Sequence, residues 1–217
     1  MSGLFITFEG TEGGGKSTQI ELLARRLHGL GHRARVLREP GGTPIGEEIR
    51  HLLKHHPANA VLMPEAELLL MNASRAQLVL EVIRPALLAG EIVLCDRFYD
   101  STTAYQGYGR QLDLALVKAV IDFAVGATRP HLTLLLQVPL AVSEARRHAR
   151  QAAAGGLRDR FEEAERPFFQ RVEHGYAELA AAEPERVRVI DATQSIEAVH
   201  DDIWRHVAPH LLPLPLE

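Results

Sequence analysis

Gly10-Thr11-Glu12-Gly13-Gly14-Gly15-Lys16-Ser17 satisfies G-x-x-x-x-G-K-[ST] at every fixed position. Glycines let the backbone curl until successive N–H groups point inward, which makes a cradle for phosphate oxygens. A lysine at the end of such a cradle reaches the β and γ phosphates, and the hydroxyl after it suits Mg²⁺. The flanking pattern is the one this chemistry requires. The apolar run Leu4 to Phe8 precedes the glycines, and Ile20, Leu23, Leu27 and Leu30 follow at helical spacing. A helix starting near Lys16 adds the partial positive charge of its N-terminus. Gly10 through Thr18 are therefore assigned to a nucleoside-triphosphate phosphate site, with Lys16 as a catalytic cation and Ser17 as a metal ligand. The competing reading is a glycine-rich turn that matches by chance, and the strand before it and the helix after it weigh against that.

A second acidic group should face this loop from a neighbouring strand. Asp96 closes the apolar run Ile92 to Cys95, where a carboxylate holds Mg²⁺ through water. Asp is also a good helix N-cap, which is the plainer alternative. Arg97 beside it favours the phosphate reading. Further along, Arg146, Arg147, Arg150, Arg158 and Arg160 crowd one Ala/Gly-rich stretch. Transferring a phosphoryl group needs its oxygens neutralised, and one donated arginine is worth roughly 10³–10⁵ in rate. Arg158 and Arg160 are the catalytic candidates, with Arg150 behind them; a solvated basic helix face accounts for the others.

The elements that must carry these residues alternate along the chain. Strands are predicted at Leu4 to Phe8, Arg35 to Leu37, Ile92 to Cys95, Leu132 to Val138 and Val187 to Ile190. Helices are predicted from Lys16 to about Gly29, Gly46 to Leu53, Pro64 to Leu88 with a kink at Pro85, Leu112 to Val125, Leu140 to Ala154, Arg160 to Ala182, and Ile196 to Leu212. Strands separated by helices imply parallel crossovers. The expected fold is α/β: three layers, α/β/α, with about five parallel strands. It forms one domain over residues 1–217, with a mobile lid at about 146–160.

The whole composition fits this. Of 217 residues, 46% are hydrophobic and 24% charged, as in soluble globular proteins. Lys and Arg total 24 against 28 Asp and Glu, a formal charge of −4, which argues against a nucleic-acid coat. A single cysteine, Cys95, permits no internal disulfide and fits a reducing compartment. No leader pattern and no apolar run near the ~18 residues of a membrane span is present, so no membrane partner is expected. The eleven histidines are scattered without zinc-type spacing. An N-K-x-D guanine motif is lacking, and motor ATPases are usually larger; a small nucleotide kinase matches the size. On the residues alone, a nucleotide-binding module without turnover stays open.

Five stretches occur in a specific order: FEGTEGGGKSTQ (Phe8 to Gln19), REPGGTPIGEEIR (Arg38 to Arg50), SRAQLV (Ser74 to Val79), CDRFYDSTTAYQGYGR (Cys95 to Arg110) and DRFEEAERPFFQRVEHGY (Asp159 to Tyr176). With them the chain resembles bacterial thymidylate kinases from Leu4 to about Thr193. The resemblance implies Mg²⁺-dependent phosphoryl transfer from ATP to dTMP, giving dTDP, by a cytoplasmic homodimer. It implies that Glu12 lies near the sugar 3′-hydroxyl, that Arg97 and Arg50 hold the dTMP phosphate, and that Glu39 lines the monophosphate pocket before a cis Glu39–Pro40 bond. Arg75 would reach the thymine carbonyl, Ser101, Thr102 and Gln106 would face the nucleoside, and Tyr105 would pack on the sugar. Asp191-Ala192-Thr193 matches the adenine side. One position departs: Met71 stands where the family usually has an aromatic residue stacked on thymine. Methionine packs on a base without a flat face, which keeps kinases for dUMP or dCMP in contention.

Overall fold

Five short apolar runs assemble into one sheet in the computed structural model, which describes residues 3–153, 161 and 165–211, with the side chains at 147, 148 and 150–153 excepted. The strands are β1 (Leu4–Glu9), β2 (Ala34–Arg38), β3 (Ile92–Asp96), β4 (Leu132–Gln137) and β5 (Val187–Asp191). Their order is β2-β3-β1-β4-β5, and every pair is parallel. Parallel neighbours require crossovers, and helices provide them: α1 (Lys16–Gly29), α2 (Pro44–Lys54), α3 (Pro64–Leu78), α4 (Arg84–Leu88), α5 (Tyr99–Thr102), α6 (Leu114–Val125), α7 (Leu140–Ala153), α8 (Arg166–Ala182) and α9 (Ile196–Val207).

The central strands are apolar on both faces because both are covered. Ile6 and Phe8 of β1 join Ile20, Leu23 and Leu27 of α1 and Val199 and Ile203 of α9 in one core. Phe5, one step out of phase, packs with Leu78, Val79, Ile83, Val117 and Ile121 in a second. These two cores give the three layers. A third cluster, with Tyr105, Leu135, Phe161, Phe168 and Tyr176, lies beside them. Cys95 of β3 is fully buried between β1 and β2. Burial pushes its thiol well up, and Glu39, Asp96 and Glu9 add to that.

Register sets the site. Phe8 of β1 and Arg38 of β2 are both level with Asp96 of β3, so Glu9, Glu39 and Arg97 leave the sheet together at its carboxyl edge. That edge is where open α/β sheets bind ligands.

Several boundaries differ from the sequence reading, the larger ones as follows. The long helix expected over Pro64 to Leu88 is α3 and α4 joined by a π-helical turn, Val79–Ile83, instead of a simple kink. Pro85 has no N–H for the preceding turn, and the wider turn absorbs that loss. The helix expected from Arg160 begins at Arg166, with Pro167 in its first turn and Phe161 outside it. The last helix ends at Val207 and is followed by a tight turn, Ala208–His210, that contains Pro209. A second π-helical segment, Thr103–Gly109, extends α5 where no helix was expected. Of the expected lid, residues 146–153 lie in α7, and residues 154–160 fall outside the described residues.

Candidate active site

The phosphate loop curls because its glycines leave the ordinary backbone region. Gly10, Gly13 and Gly15 have φ of 124, 77 and 84°. At Gly10 there is also no room for a side chain, since a Cβ would run into the backbone oxygen of Leu136 on β4. Gly15 then forms the N-cap of α1. Lys16 folds back over the loop, and its Nζ donates to Gly10 O and Thr11 O, each at 3.0 Å. Burial lowers the Lys16 ammonium pKa, and the nearby Arg97 charge lowers it further. Ser17 Oγ donates to Asp96 Oδ2 at 3.1 Å. A hydroxyl and a carboxylate side by side form a hard-oxygen pair, the donor set Mg²⁺ prefers.

Arg97 follows Asp96 with a positive φ of 69°, unusual for a non-glycine residue. Its amide is fixed on Phe8 O at 2.9 Å. The guanidinium bonds Glu12 Oε1 (2.8 Å), Ser101 Oγ (3.0 Å), Tyr105 OH (3.2 Å) and Tyr176 OH (3.2 Å). Beneath it lies Glu9, fully buried. Glu9 accepts from Phe98 N at 2.7 Å, Ser101 Oγ at 2.5 Å and Tyr176 OH at 3.0 Å. Burial, and then the Asp100 charge, push the Glu9 carboxyl up to about 7. Glu9 thus ties together the backbone and hydroxyls that hold Arg97. The sequence reading passed over Glu9 and Tyr176; a carboxylate ending the apolar run LFITF was the available signal.

A second cationic group lies deeper. Arg75 is 2% exposed, and its Nε donates to Glu39 Oε2 at 2.8 Å, Nη1 to Asn72 Oδ1 at 2.9 Å and Nη2 to Phe98 O at 3.2 Å. Glu39 Oε1 is buried with no partner among the described residues. Burial raises the Glu39 pKa, and Arg75 opposes it. The Glu39–Pro40 peptide is cis, and Arg50 Nη1 donates to Pro40 O at 2.8 Å. Gln106 Nε2 donates to Glu67 Oε1 at 2.8 Å, and Arg110 reaches both Glu67 oxygens.

One cavity of about 580 Å³ joins these groups. Sixteen of the residues singled out from sequence line it: Glu12, Gly13, Gly15, Lys16, Ser17, Thr18, Glu39, Arg50, Met71, Arg75, Asp96, Arg97, Ser101, Thr102, Tyr105 and Gln106. Gly10, Thr11 and Gly14 shape the loop from behind. Arg158 and Arg160 lie outside the described residues, as does the side chain of Arg150. Arg146 also lines the cavity and donates to Gly13 O at 3.0 Å, while Ser143 Oγ of the same helix donates to Glu12 O at 2.7 Å. So α7, which leads into the arginine-rich stretch, is fastened to the phosphate loop. Arg38, Lys54, Phe98 and Phe161 line the cavity too and were not foreseen. Arg38 adjoins Glu39 in a motif already noted; nothing in local spacing marks Phe161.

The site has a strong lysine–loop phosphate cradle at one end and a guanidinium with an amide at the other, and the cavity runs unbroken between them. Comparison with known proteins gives the family of the chain. A family model described as thymidylate kinase matches residues 8–203. Thymidylate kinase of Syntrophotalea carbinolica is 51% identical over 201 residues, 92% of this chain and 93% of that protein. Thymidylate kinase of Pseudomonas fluorescens is 48% identical over 217 residues, 100% of this chain and 98% of that protein. The crystal structure of thymidylate kinase from Ehrlichia chaffeensis superposes with a TM-score of 0.75 at 33% identity, covering 96% of this chain and 99% of that one. The chain belongs to the thymidylate kinase family.

Proposed function

We propose that this member of the thymidylate kinase family transfers the γ-phosphoryl group of ATP to dTMP, giving dTDP and ADP. The observation that carries this reading is the single cavity joining the Lys16 loop to the Arg75–Gln106 pocket. ATP phosphates occupy the loop, and the dTMP phosphate sits by Arg97 and Arg50. A phosphate oxygen of dTMP attacks the γ-phosphorus while the bond to the ADP oxygen breaks. The attacking oxygen is already anionic, so positioning and charge neutralisation carry the step, and no strong general base is needed. Lys16 leaves the loop carbonyls for phosphate oxygens, and Arg97 turns from Glu12 to the acceptor phosphate. Glu12 then accepts from the sugar 3′-hydroxyl. Ser17 and Asp96 would hold Mg²⁺, which would supply charge neutralisation at the phosphates when bound. Arg158 and Arg160 complete the charge on the transferred group. Met71 covers the base.

We assign the protein to the cytoplasm as a single-domain homodimer. Leu69 of α3, Leu80 of the following turn, and Leu116 and Phe123 of α6 are 60–91% exposed, which supports a covered apolar face there. Light scattering at micromolar concentration showing a monomer would remove the dimer.

The deciding assay is ADP release from Mg-ATP with dTMP, dUMP, dCMP, UMP and AMP in parallel. Preference for dTMP supports the reading. Preference for another acceptor keeps the phosphate chemistry and rejects the thymine pocket; turnover with none leaves a binding module.

A further inference from the structure

Glu67 is a charged residue near the start of the apolar run AELLLM, with no accessible surface. It does not line the cavity. Its oxygens are engaged by neighbours that do, or that support those that do. Oε1 accepts from Gln106 Nε2 at 2.8 Å and from Arg110 Nε at 3.2 Å; Oε2 accepts from Arg110 Nη2 at 3.1 Å. Arg110 in turn lies over the Phe168 ring of α8, 4.7 Å from its centroid. Glu67 is therefore clamped between a fixed guanidinium and the Gln106 amide.

A carboxylate bonded to arginine can only accept, so Gln106 must turn its NH₂ toward it. The amide oxygen then points the other way. No donor among the described residues reaches that oxygen, yet it is not a sealed orphan, and Gln106 lines the cavity. A free amide would present either end to a ligand; this one is held with its acceptor forward.

We propose that Glu67 is a positioning residue that fixes Gln106 as an acceptor, so that the pocket selects pyrimidines carrying a ring N3–H. Thymine and uracil carry that hydrogen. Cytosine carries a lone pair there and meets an oxygen lone pair. Arg75 works in the same sense, since it has only hydrogens to offer an exocyclic group and suits a carbonyl over an amine. Selection by paired polar groups is far stronger than selection by shape, because the wrong ligand leaves buried groups unpaired. The proposal rests on the reading of the acceptor as dTMP, and the parent protein's own acceptor preference tests that reading separately.

The experiment is Glu67→Gln, assayed for kcat/KM with dTMP, dUMP and dCMP. A carboxamide at 67 lets the Gln106 amide turn over. The dTMP:dCMP ratio should fall roughly tenfold, about the worth of one oriented hydrogen bond. The dTMP:dUMP ratio should stay put, because both bases carry N3–H. A merely structural Glu67 would lower all three acceptors together. Unchanged ratios, or dUMP and dCMP gaining together, overturn the proposal. The reversed pair Glu67→Gln with Gln106→Glu presents acceptor oxygens to the base again and should restore discrimination against dCMP. Should Glu67→Gln not fold, Gln106→Met keeps the length and loses the acceptor; an unchanged dTMP:dCMP ratio there overturns the idea equally.

Discussion

Replacing Glu9 with glutamine removes a titration from the centre of the sheet. Glu9 is fully buried, accepts three hydrogen bonds and has its carboxyl pushed from 4.5 up to about 7 by burial and by Asp100. An acid with a higher pKa folded than unfolded binds its proton more tightly in the fold. Its contribution to stability is complete below about pH 4.5 and is lost as pH rises through 7. From 4.5 to about 7 is roughly 2.5 units, and at about 1.4 kcal/mol per unit that is about 3 kcal/mol. Glutamine carries no such proton. It costs a fixed amount instead, about 1–3 kcal/mol, because its NH₂ faces one of the three donors. Urea unfolding of both proteins at pH 5, 6, 7 and 8 reads the difference. The parent should lose about 2.5 kcal/mol relative to Glu9→Gln across that range, the remainder lying below pH 5. Glu39 and the other carboxylates titrate in both proteins and cancel. A stability gap that stays constant with pH would refute the argument and put Glu9 among ordinary ionised carboxylates.

The catalytic assignments give further expectations. Lys16→Met should leave a folded protein by circular dichroism and cut kcat about 10²–10³-fold, the usual loss of one charge-stabilising group; a loss under tenfold would remove Lys16 from the chemistry. Arg158→Ala and Arg160→Ala, assayed side by side, should include one variant slowed about 10³-fold or more with KM for dTMP little changed. Two near-normal variants would move the task to Arg146 or Arg150. Met71→Ala should raise KM for dTMP about fivefold, and Met71→Phe should lower it, since a ring adds about 1 kcal/mol of stacking; equal KM values would show that residue 71 does not cover the base.

Most of the sheet was legible because parallel strands buried on both faces are written as continuous apolar runs, as LFITF and LTLLLQV are. The phosphate loop was legible because its glycines and lysine adjoin in sequence. The helix at Tyr99–Gly109 escaped because its residues are chosen for the cavity. Tyr105, Gln106 and Ser101 turn polar groups inward and erase the apolar periodicity that marks a helix. Glu9 and Glu67 escaped for a related reason. A single carboxylate in an apolar run reads as a surface residue until its partners, Tyr176 and Arg110, arrive from distant segments. The start of α8 was missed because Phe161, Glu162, Glu163, Ala164 and Glu165 are residue types a helix accepts, so the pattern runs on without a break into Arg166.

Cys95 gives the molecule a built-in clock. The thiol lies in β3, flanked by β1 and β2, with no accessible surface and an acidity suppressed far below that of a free cysteine. A chromogenic aromatic disulfide reacts only with an exposed thiolate. Colour therefore develops at the frequency with which the middle of the sheet comes apart, and no engineered label is needed to hear it. Asp96 and Arg97 follow directly in the chain, so any nucleotide gripped at that edge makes those openings rarer. At a hundredfold excess over its dissociation constant, a ligand that binds only the closed sheet slows the clock about a hundredfold.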